Sequence, residues 1–128
     1  METLEFNNPR TDSAPQVLLN ALSGNCSISG NSYLEDTKRF YQPILDWIHK
    51  YTYERRGALT WDIKLNYFNS SSKKLLTILL KKLYKYQIQG GKVEVNWYCP
   101  LDDDELFEEI DHMMDVSRLK INVLMFKR

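Results

Sequence analysis

Four consecutive small polar residues, Asn69 to Ser72, stand between two apolar patterns of different period. The residues before them alternate apolar and polar side chains, as in a strand with one buried face, and the residues after them repeat at helical spacing. Asn and Ser are preferred at helix N-termini because their side chains accept hydrogen bonds from amides that lack a partner within the helix. Such a serine could also carry a phosphate, since the helix dipole stabilises negative charge there.

The helical spacing distinguishes the three serines from one another. When the repeat is extended back one turn from Lys74, Ser70 falls near an arc of lysines and Ser72 falls near an arc of leucines. We therefore expect Ser70 to be the most exposed of the three serines, with Ser71 next. A capped helix start with no regulatory role is the alternative interpretation.

The composition indicates one domain without a strong overall charge. The chain has 128 residues, 43% of them hydrophobic, and its 17 basic residues balance its 17 acidic ones. This length suits a single hydrophobic core. The zero net charge gives no electrostatic preference for nucleic acid or for an anionic membrane, so we expect neither as a partner.

Other site chemistries have little support in the sequence. It contains no G-x-S-x-G elbow, Walker A loop or G-x-G-x-x-G motif, so we expect no enzyme, no catalytic residue and no cofactor. The acids at 102–105 fit a helix N-terminus, and an EF-hand would need glycine in place of Phe107, so we expect no metal. Cys26 and Cys99 lack disulfide or metal spacing. With no leader and no run of about 20 apolar residues, we expect a cytoplasmic protein.

The flanking patterns predict the elements that position the serines. We expect a hairpin of strands over 15–22 and 25–29, a helix beginning between Glu35 and Gln42, a strand over 58–68, a helix ending near Gly90, a strand over 92–98, a helix over 101–116 and a strand over 119–126. Pro43 favours a first helix that begins near Tyr41 or one with a kinked upstream turn. Residues 1–13 are predicted to form a polar segment that is either a frayed end or a docking edge. Residues 14–128 are predicted to form a single domain.

The order of these elements predicts an α/β fold. Strands and helices alternate after the hairpin, which gives a mixed sheet of four to five strands with the helices mainly on one face. The carboxyl ends of strands 58–68 and 92–98 then meet at one edge of the sheet, beside the serine turn. A small-ligand pocket or an enzyme active site at that edge is one alternative function.

Three segments resemble the SiaC-type regulatory phosphoproteins, a bacterial family related in fold to STAS domains and anti-sigma-factor antagonists. The segments are ISGNSYLEDTKRFYQPILDWIHKY, LNYFNSSSKKLL and GGKVEVNWY. The likeness extends from about Gln16 to the C-terminus, and its most specific parts are the FYQPILDW run, the YFN(S/T)SS turn and the VNWY strand. It implies a single STAS-like domain over residues 14–128.

The resemblance also implies a phosphorylation-controlled partner switch. In the family, a dedicated Ser/Thr protein kinase modifies the residue after Asn in the YFN(S/T)SS turn, and a PP2C-like phosphatase removes the phosphate. The unmodified protein binds and activates a GGDEF-type diguanylate cyclase, which connects the family to c-di-GMP signalling and biofilm formation. By position the modified residue is Ser70, a serine where the family more commonly has threonine. An anti-sigma factor, bound as by other STAS-like antagonists, is the alternative partner.

The residues around the turn are the expected contacts with the partner. Three of them match the family's motif, and the others adjoin it on the predicted helix, where lysines could pair with a phosphate or with an acidic partner surface. The expected partner-binding residues are Tyr67, Phe68, Asn69, Ser71, Lys73 and Lys74. A strand end, its capping residue and a solvated helix face are the structural alternative.

Overall fold

A computed structural model of the chain describes residues 1–6 and 13–128. Within these residues, six strands and three helices occur in the order β-β-β-α-β-α-β-α-β. The strands are β1 (Leu4–Phe6), β2 (Gln16–Leu19), β3 (Asn25–Ser32), β4 (Leu59–Phe68), β5 (Val93–Pro100) and β6 (Asn122–Phe126). The helices are α1 (Thr37–Glu54), α2 (Ser70–Ile88) and α3 (Asp104–Ser117).

The strands form one mixed sheet in which spatial order follows chain order, β1-β2-β3-β4-β5-β6. The pairs β1–β2 and β2–β3 are antiparallel, and the pairs β3–β4, β4–β5 and β5–β6 are parallel. This topology confirms the predicted mixed α/β fold. It follows from the connections, since the hairpin joins antiparallel strands and each later connection contains a crossover helix.

The sheet has six strands in the described residues instead of the predicted four to five, because the N-terminus contributes β1. Leu4 pairs with Leu19, and Phe6 pairs with Val17. A strand of only 3 residues is too short to show a period-two pattern, so local periodicity could not distinguish a docked edge from a frayed end. Of the predicted polar segment 1–13, residues 7–12 lie outside the described part of the chain.

The three helices lie side by side on one face of the sheet, with α2 between α1 and α3. That face carries the buried side chains of β4, Trp61, Ile63 and Leu65, while Thr60 and Lys64 on the opposite face keep contact with solvent. The alternation in β4 thus has the cause inferred from the sequence, one face covered by helices and one face open. No helix in residues 1–6 and 13–128 is long and apolar enough to span a bilayer.

Helix α1 is continuous from Thr37, and Pro43 lies inside it. The helix thus begins within the predicted range of Glu35 to Gln42, and of the two alternatives considered for Pro43 the start near Tyr41 is wrong. The side chain of Asp36 caps the helix by accepting a hydrogen bond from the Arg39 amide at 3.3 Å. The buried side chains of Tyr41 and Ile44 hold the helix against the core on both sides of the proline, and this packing offsets the backbone hydrogen bond that proline cannot donate.

Candidate functional site

The first turn of α2 is fixed by the side chain of Asn69. Asn69 is the N-cap in extended backbone conformation, and its Oδ1 accepts a hydrogen bond from the Ser72 amide at 2.9 Å. The Lys73 amide donates to the Asn69 carbonyl at 2.9 Å, which closes the first helical turn. Asn69 Nδ2 also donates to the Leu34 carbonyl at 3.4 Å. The junction between β4 and α2 is therefore held to the loop that precedes α1.

Ser72 points into the protein and belongs to a buried hydroxyl chain. Its side chain is fully buried, and Ser72 Oγ accepts a hydrogen bond from Ser32 Oγ at 2.8 Å. Ser32 Oγ in turn lies 2.7 Å from the phenol oxygen of Tyr41. Burial raises the pKa of Tyr41 to about 12. Ser72 is thus a structural residue that a modifying enzyme could not reach without opening the core.

Ser71 is exposed, but its hydroxyl already has partners. Ser71 Oγ donates to Asn69 Oδ1 at 3.1 Å and lies 2.8 Å from Thr37 Oγ1. Thr37 is the first residue of α1 and is itself buried. The Ser71 hydroxyl therefore ties the first turns of α1 and α2 together, and a phosphate on it would break both contacts.

Ser70 occupies the first position of α2 and is exposed to solvent. Its hydroxyl makes no hydrogen bond with any residue in the described part of the chain. The helical spacing correctly predicted the contrast with Ser72, since one serine is exposed and the other buried. Of the three hydroxyls in the turn, that of Ser70 is the one that could be modified without breaking a hydrogen bond to a described residue.

A surface cleft of about 390 Å³ opens beside Ser70. It lies between the end of β4 and the first turns of α2 and α3. One wall is formed by Tyr67, Ser70 and Lys73, and the facing wall carries three acids, Asp103, Glu105 and Glu109. The cleft stands at the edge of the sheet where β4 and β5 end, the place that their parallel arrangement predicts for a pocket.

Lys73 connects the two walls of this cleft. Its Nζ lies 2.6 Å from Glu109 Oε2, and the two side chains retain exposures of 26% and 40%. Lys73 follows Ser70 by three residues on α2, so the two side chains share one face of the helix. Lys74 is exposed on α2 and is not among the residues that line the cleft.

The two aromatic residues at the end of β4 have different environments. Tyr67 is 54% exposed, and its ring meets the ring of Tyr33 edge-on with 5.7 Å between centroids. Phe68 is half-buried, with its ring centroid 5.7 Å from that of Trp97 in the core. Tyr67 therefore presents an exposed ring beside the turn, whereas Phe68 anchors the strand end to the core.

The sequence did not indicate that an acidic wall faces the serine turn. The sequence predicts a helix N-terminus at Asp103 and its neighbours, and the Asp103 side chain does cap α3 by accepting a hydrogen bond from the Leu106 amide at 3.0 Å. The parallel neighbours β4 and β5 place the starts of α2 and α3 side by side. That topology was the signal that could have predicted the acidic wall.

Comparisons with known proteins agree with the sequence resemblance. The family model described as "SiaC family regulatory phosphoprotein" matches residues 8–126. An uncharacterized protein of Pseudomonas aeruginosa (strain UCBPP-PA14) is 28% identical over 100 residues, which is 78% of this chain and 79% of the relative.

Two solved structures share the fold. Apo-SiaC from Pseudomonas aeruginosa superposes with a TM-score of 0.86 at 23% identity, covering 97% of this chain and 99% of that one. SiaC in the complex of the diguanylate cyclase SiaD with its activator SiaC, also from Pseudomonas aeruginosa, gives a TM-score of 0.88 at 22% identity, covering 96% and 99%. With the family match over nearly the whole sequence, the chain belongs to the SiaC family of regulatory phosphoproteins.

Proposed function

We propose that this protein is a non-enzymatic partner switch whose unmodified form binds and activates a GGDEF-type diguanylate cyclase. A cytoplasmic Ser/Thr kinase phosphorylates Ser70 and thereby releases the cyclase, and a PP2C-like phosphatase restores binding. Membership in a family of regulatory phosphoproteins supports this role. So does the similarity to a SiaC that is described as the activator of the diguanylate cyclase SiaD.

The observation that carries the proposal is the environment of the Ser70 hydroxyl. It is exposed at the first residue of α2 and lines the cleft, whereas Ser71 and Ser72 are hydrogen-bonded to neighbouring side chains. A kinase can reach Ser70 without unfolding the turn. A partner that covers the cleft would bury this position, so a phosphate there acts directly on the interface.

The phosphate would change both the charge and the pairing in the cleft. It adds about −1.5 to −2 charges, which the first amides of α2 and Lys73 can stabilise. Lys73 pairs with Glu109 in the unmodified protein, so the phosphate competes with that carboxylate for the same ammonium group. The displaced Glu109, together with Asp103 and Glu105, leaves the cleft strongly negative.

A partner docked over the cleft would then face a buried, repulsive charge. A loss of about 3 kcal/mol of interface free energy weakens binding by a factor of about 100 or more. The expected partner surface includes the exposed ring of Tyr67 and the residues of the turn, with Lys73 and Lys74 available to an acidic group of the cyclase. The fold itself is retained, because the modified hydroxyl contributes no internal hydrogen bond within the described residues.

The direct test combines mass spectrometry with a cyclase assay. The purified protein is incubated with its kinase, the site is mapped, and c-di-GMP synthesis by the GGDEF cyclase is measured with each form. We expect one phosphate on Ser70 and loss of cyclase activation. Ser70→Ala should accept no phosphate and should keep activating the cyclase in the presence of the kinase. The matched control Ser71→Ala should still be phosphorylated on Ser70 and should then dissociate from the cyclase.

Two results would contradict the proposal. Modification that persists in Ser70→Ala would move the site to another residue. A protein that is never phosphorylated, does not bind the cyclase and copurifies with a small metabolite in the cleft would instead be a ligand-binding protein.

A further inference from the structure

A second cleft, of about 550 Å³, lies at the opposite end of α2 from Ser70. It is formed by the last turns of α1 and α2 and by the loop that follows α1. The residues from α1 and those from α2 each recur at helical spacing, so one face of each helix borders the cleft. Its polar lining includes His49, Tyr53, Arg56, Lys82, Lys85 and Gln89.

The lining is basic and contains no carboxylate. Arg56, Lys82 and Lys85 border the same concavity, and none of the three has an Asp or Glu within ion-pair distance among the residues that the structure describes. Like charges held around one cavity repel each other, and a bound anion would relieve this repulsion. In a chain with zero net charge, such a cluster is a local feature of this cleft.

Stabilisation of a helix C-terminus explains only part of this cluster. Lys85 lies in the last turn of α2, where a cation interacts favourably with the helix dipole. Lys82 is nearly one turn earlier, and Arg56 comes from another element. Arg56 has a φ of 53°, a conformation that glycine or asparagine would adopt at lower cost, and its amide donates to the Tyr51 carbonyl at 3.0 Å. The backbone alone therefore gives no reason for an arginine at this position.

An exposed aromatic ring completes the lining. Tyr53 is 80% exposed, although its neighbour in the cleft, Tyr86, is buried with its hydroxyl donating to the Gly57 carbonyl at 2.7 Å. In proteins that bind nucleotides or single-stranded nucleic acids, an exposed aromatic ring can stack on a base while neighbouring cations bind the phosphates. The cleft volume lies within the range of about 300 to 1,000 Å³ that is typical of small-molecule sites.

We propose that this second cleft binds a nucleoside di- or triphosphate. Arg56, Lys82 and Lys85 bind the phosphates, and the ring of Tyr53 stacks on the base. Three cations match the charge of two or three phosphate groups better than that of one. The site is independent of the serine turn, because it lies at the other end of α2 and shares no lining residue with the first cleft.

The test is a titration of the full-length protein with ATP, inorganic tripolyphosphate and adenosine. Calorimetry measures the affinity for each compound, and amide NMR shifts locate the binding site. We expect saturable binding of ATP, weaker binding of tripolyphosphate and still weaker binding of adenosine, with shifts at the last turns of α1 and α2. The double variant Lys82→Gln, Lys85→Gln should weaken ATP binding at least about tenfold. Arg56→Asn, which suits the left-handed backbone, should weaken it in the same direction.

The controls separate the phosphate contacts from the base contact. Lys81→Gln, a neighbouring exposed lysine outside the cleft, should leave ATP binding unchanged, and so should Ser70→Ala. Tyr53→Ala should weaken ATP binding and leave tripolyphosphate binding unaffected. The proposal is overturned if ATP does not bind saturably, or if the lysine variant binds as the native protein does. Equal binding of ATP and tripolyphosphate, with no effect of Tyr53→Ala, would overturn the assignment of a nucleotide.

Discussion

At the scale of single residues, three adjacent serines illustrate how position decides the role of a hydroxyl. Ser70 is exposed with no hydrogen bond to a described residue, Ser71 links α1 to α2 through Thr37, and Ser72 is buried against Ser32. The same side chain is therefore a candidate modification site, a surface tie or a core residue. Helical spacing alone predicted the exposure of the first and the burial of the last.

Replacing each serine by alanine should separate these roles in stability. Ser72→Ala should lower the free energy of unfolding by about 1 to 3 kcal/mol, because it removes a buried hydrogen-bond partner of Ser32. Ser70→Ala should change it by less than about 0.5 kcal/mol. Urea unfolding followed by circular dichroism measures both values. A large loss of stability in Ser70→Ala would mean that Ser70 is structural.

An acidic substitution at Ser70 should separate function from stability. Ser70→Asp adds negative charge at the cleft and should abolish cyclase activation, while the melting temperature changes little. The helix N-terminus favours the carboxylate by about 0.3 to 1 kcal/mol, and the acidic wall of the cleft opposes that gain. Calorimetry and the cyclase assay test the two effects. Collapse of the fold in this variant would contradict the proposed surface role.

At the scale of the elements, the contact between α2 and α3 connects the serine turn to the acidic wall. Lys73 on α2 pairs with Glu109 on α3 at 2.6 Å, and both side chains keep access to water. Such a pair contributes less than about 1 kcal/mol to folding, so it can exchange partners at little cost. A phosphate on Ser70 is a stronger competitor for Lys73 than a single carboxylate.

The titration of the phosphate should report this competition. In the phosphorylated protein, Glu109→Gln frees Lys73 and removes a negative charge from the cleft, so the second pKa of phosphoserine 70 should fall. Phosphorus NMR over a pH series measures that pKa. Glu108→Gln, an exposed neighbour on α3 that does not line the cleft, is the matched control and should cause a smaller shift. An unchanged pKa in Glu109→Gln would show that Lys73 does not pair with the phosphate.

The elements also show what local sequence patterns can and cannot predict. The change of hydrophobic period at Asn69 predicted the junction of β4 and α2, because that signal lies within consecutive residues. The pairing of β1 was left open between a frayed end and a docked edge, and the ion pair of Lys73 with Glu109 was not predicted, because both contacts join residues distant in sequence. The start of α1 at Thr37 lies within the predicted range, but a start near Tyr41, one of the two alternatives that Pro43 suggested, is wrong because tertiary packing outweighs the local preference of proline.

At the scale of the whole molecule, burial of ionisable groups makes folding sensitive to alkaline pH. Burial in the core raises the pKa of Tyr41 from 10.0 to about 12, with its hydrogen bond to Ser32 opposing that shift. Burial also raises the pKa of the Cys26 thiol above its ordinary value of 9.0. In both cases the folded state retains a proton that the unfolded chain releases.

Stability should therefore fall as the pH rises through this range. The contribution of Tyr41 is fully present below pH 10.0, the value for the unfolded chain, and is lost between pH 10.0 and about 12. The loss amounts to about 2 to 3 kcal/mol for Tyr41 alone. Chemical denaturation at a series of pH values measures it, and Tyr41→Phe should show a shallower decline. An equally steep decline in Tyr41→Phe would assign the effect to other groups.

The most direct test of the switch is the affinity of the GGDEF cyclase for two forms of this protein, unmodified and fully phosphorylated on Ser70. Dissociation constants from calorimetry or biosensor measurements at one ionic strength give the comparison. We expect binding by the unmodified form and binding weaker by a factor of about 100 or more after phosphorylation. Equal dissociation constants for the two forms would contradict control of the cyclase through Ser70.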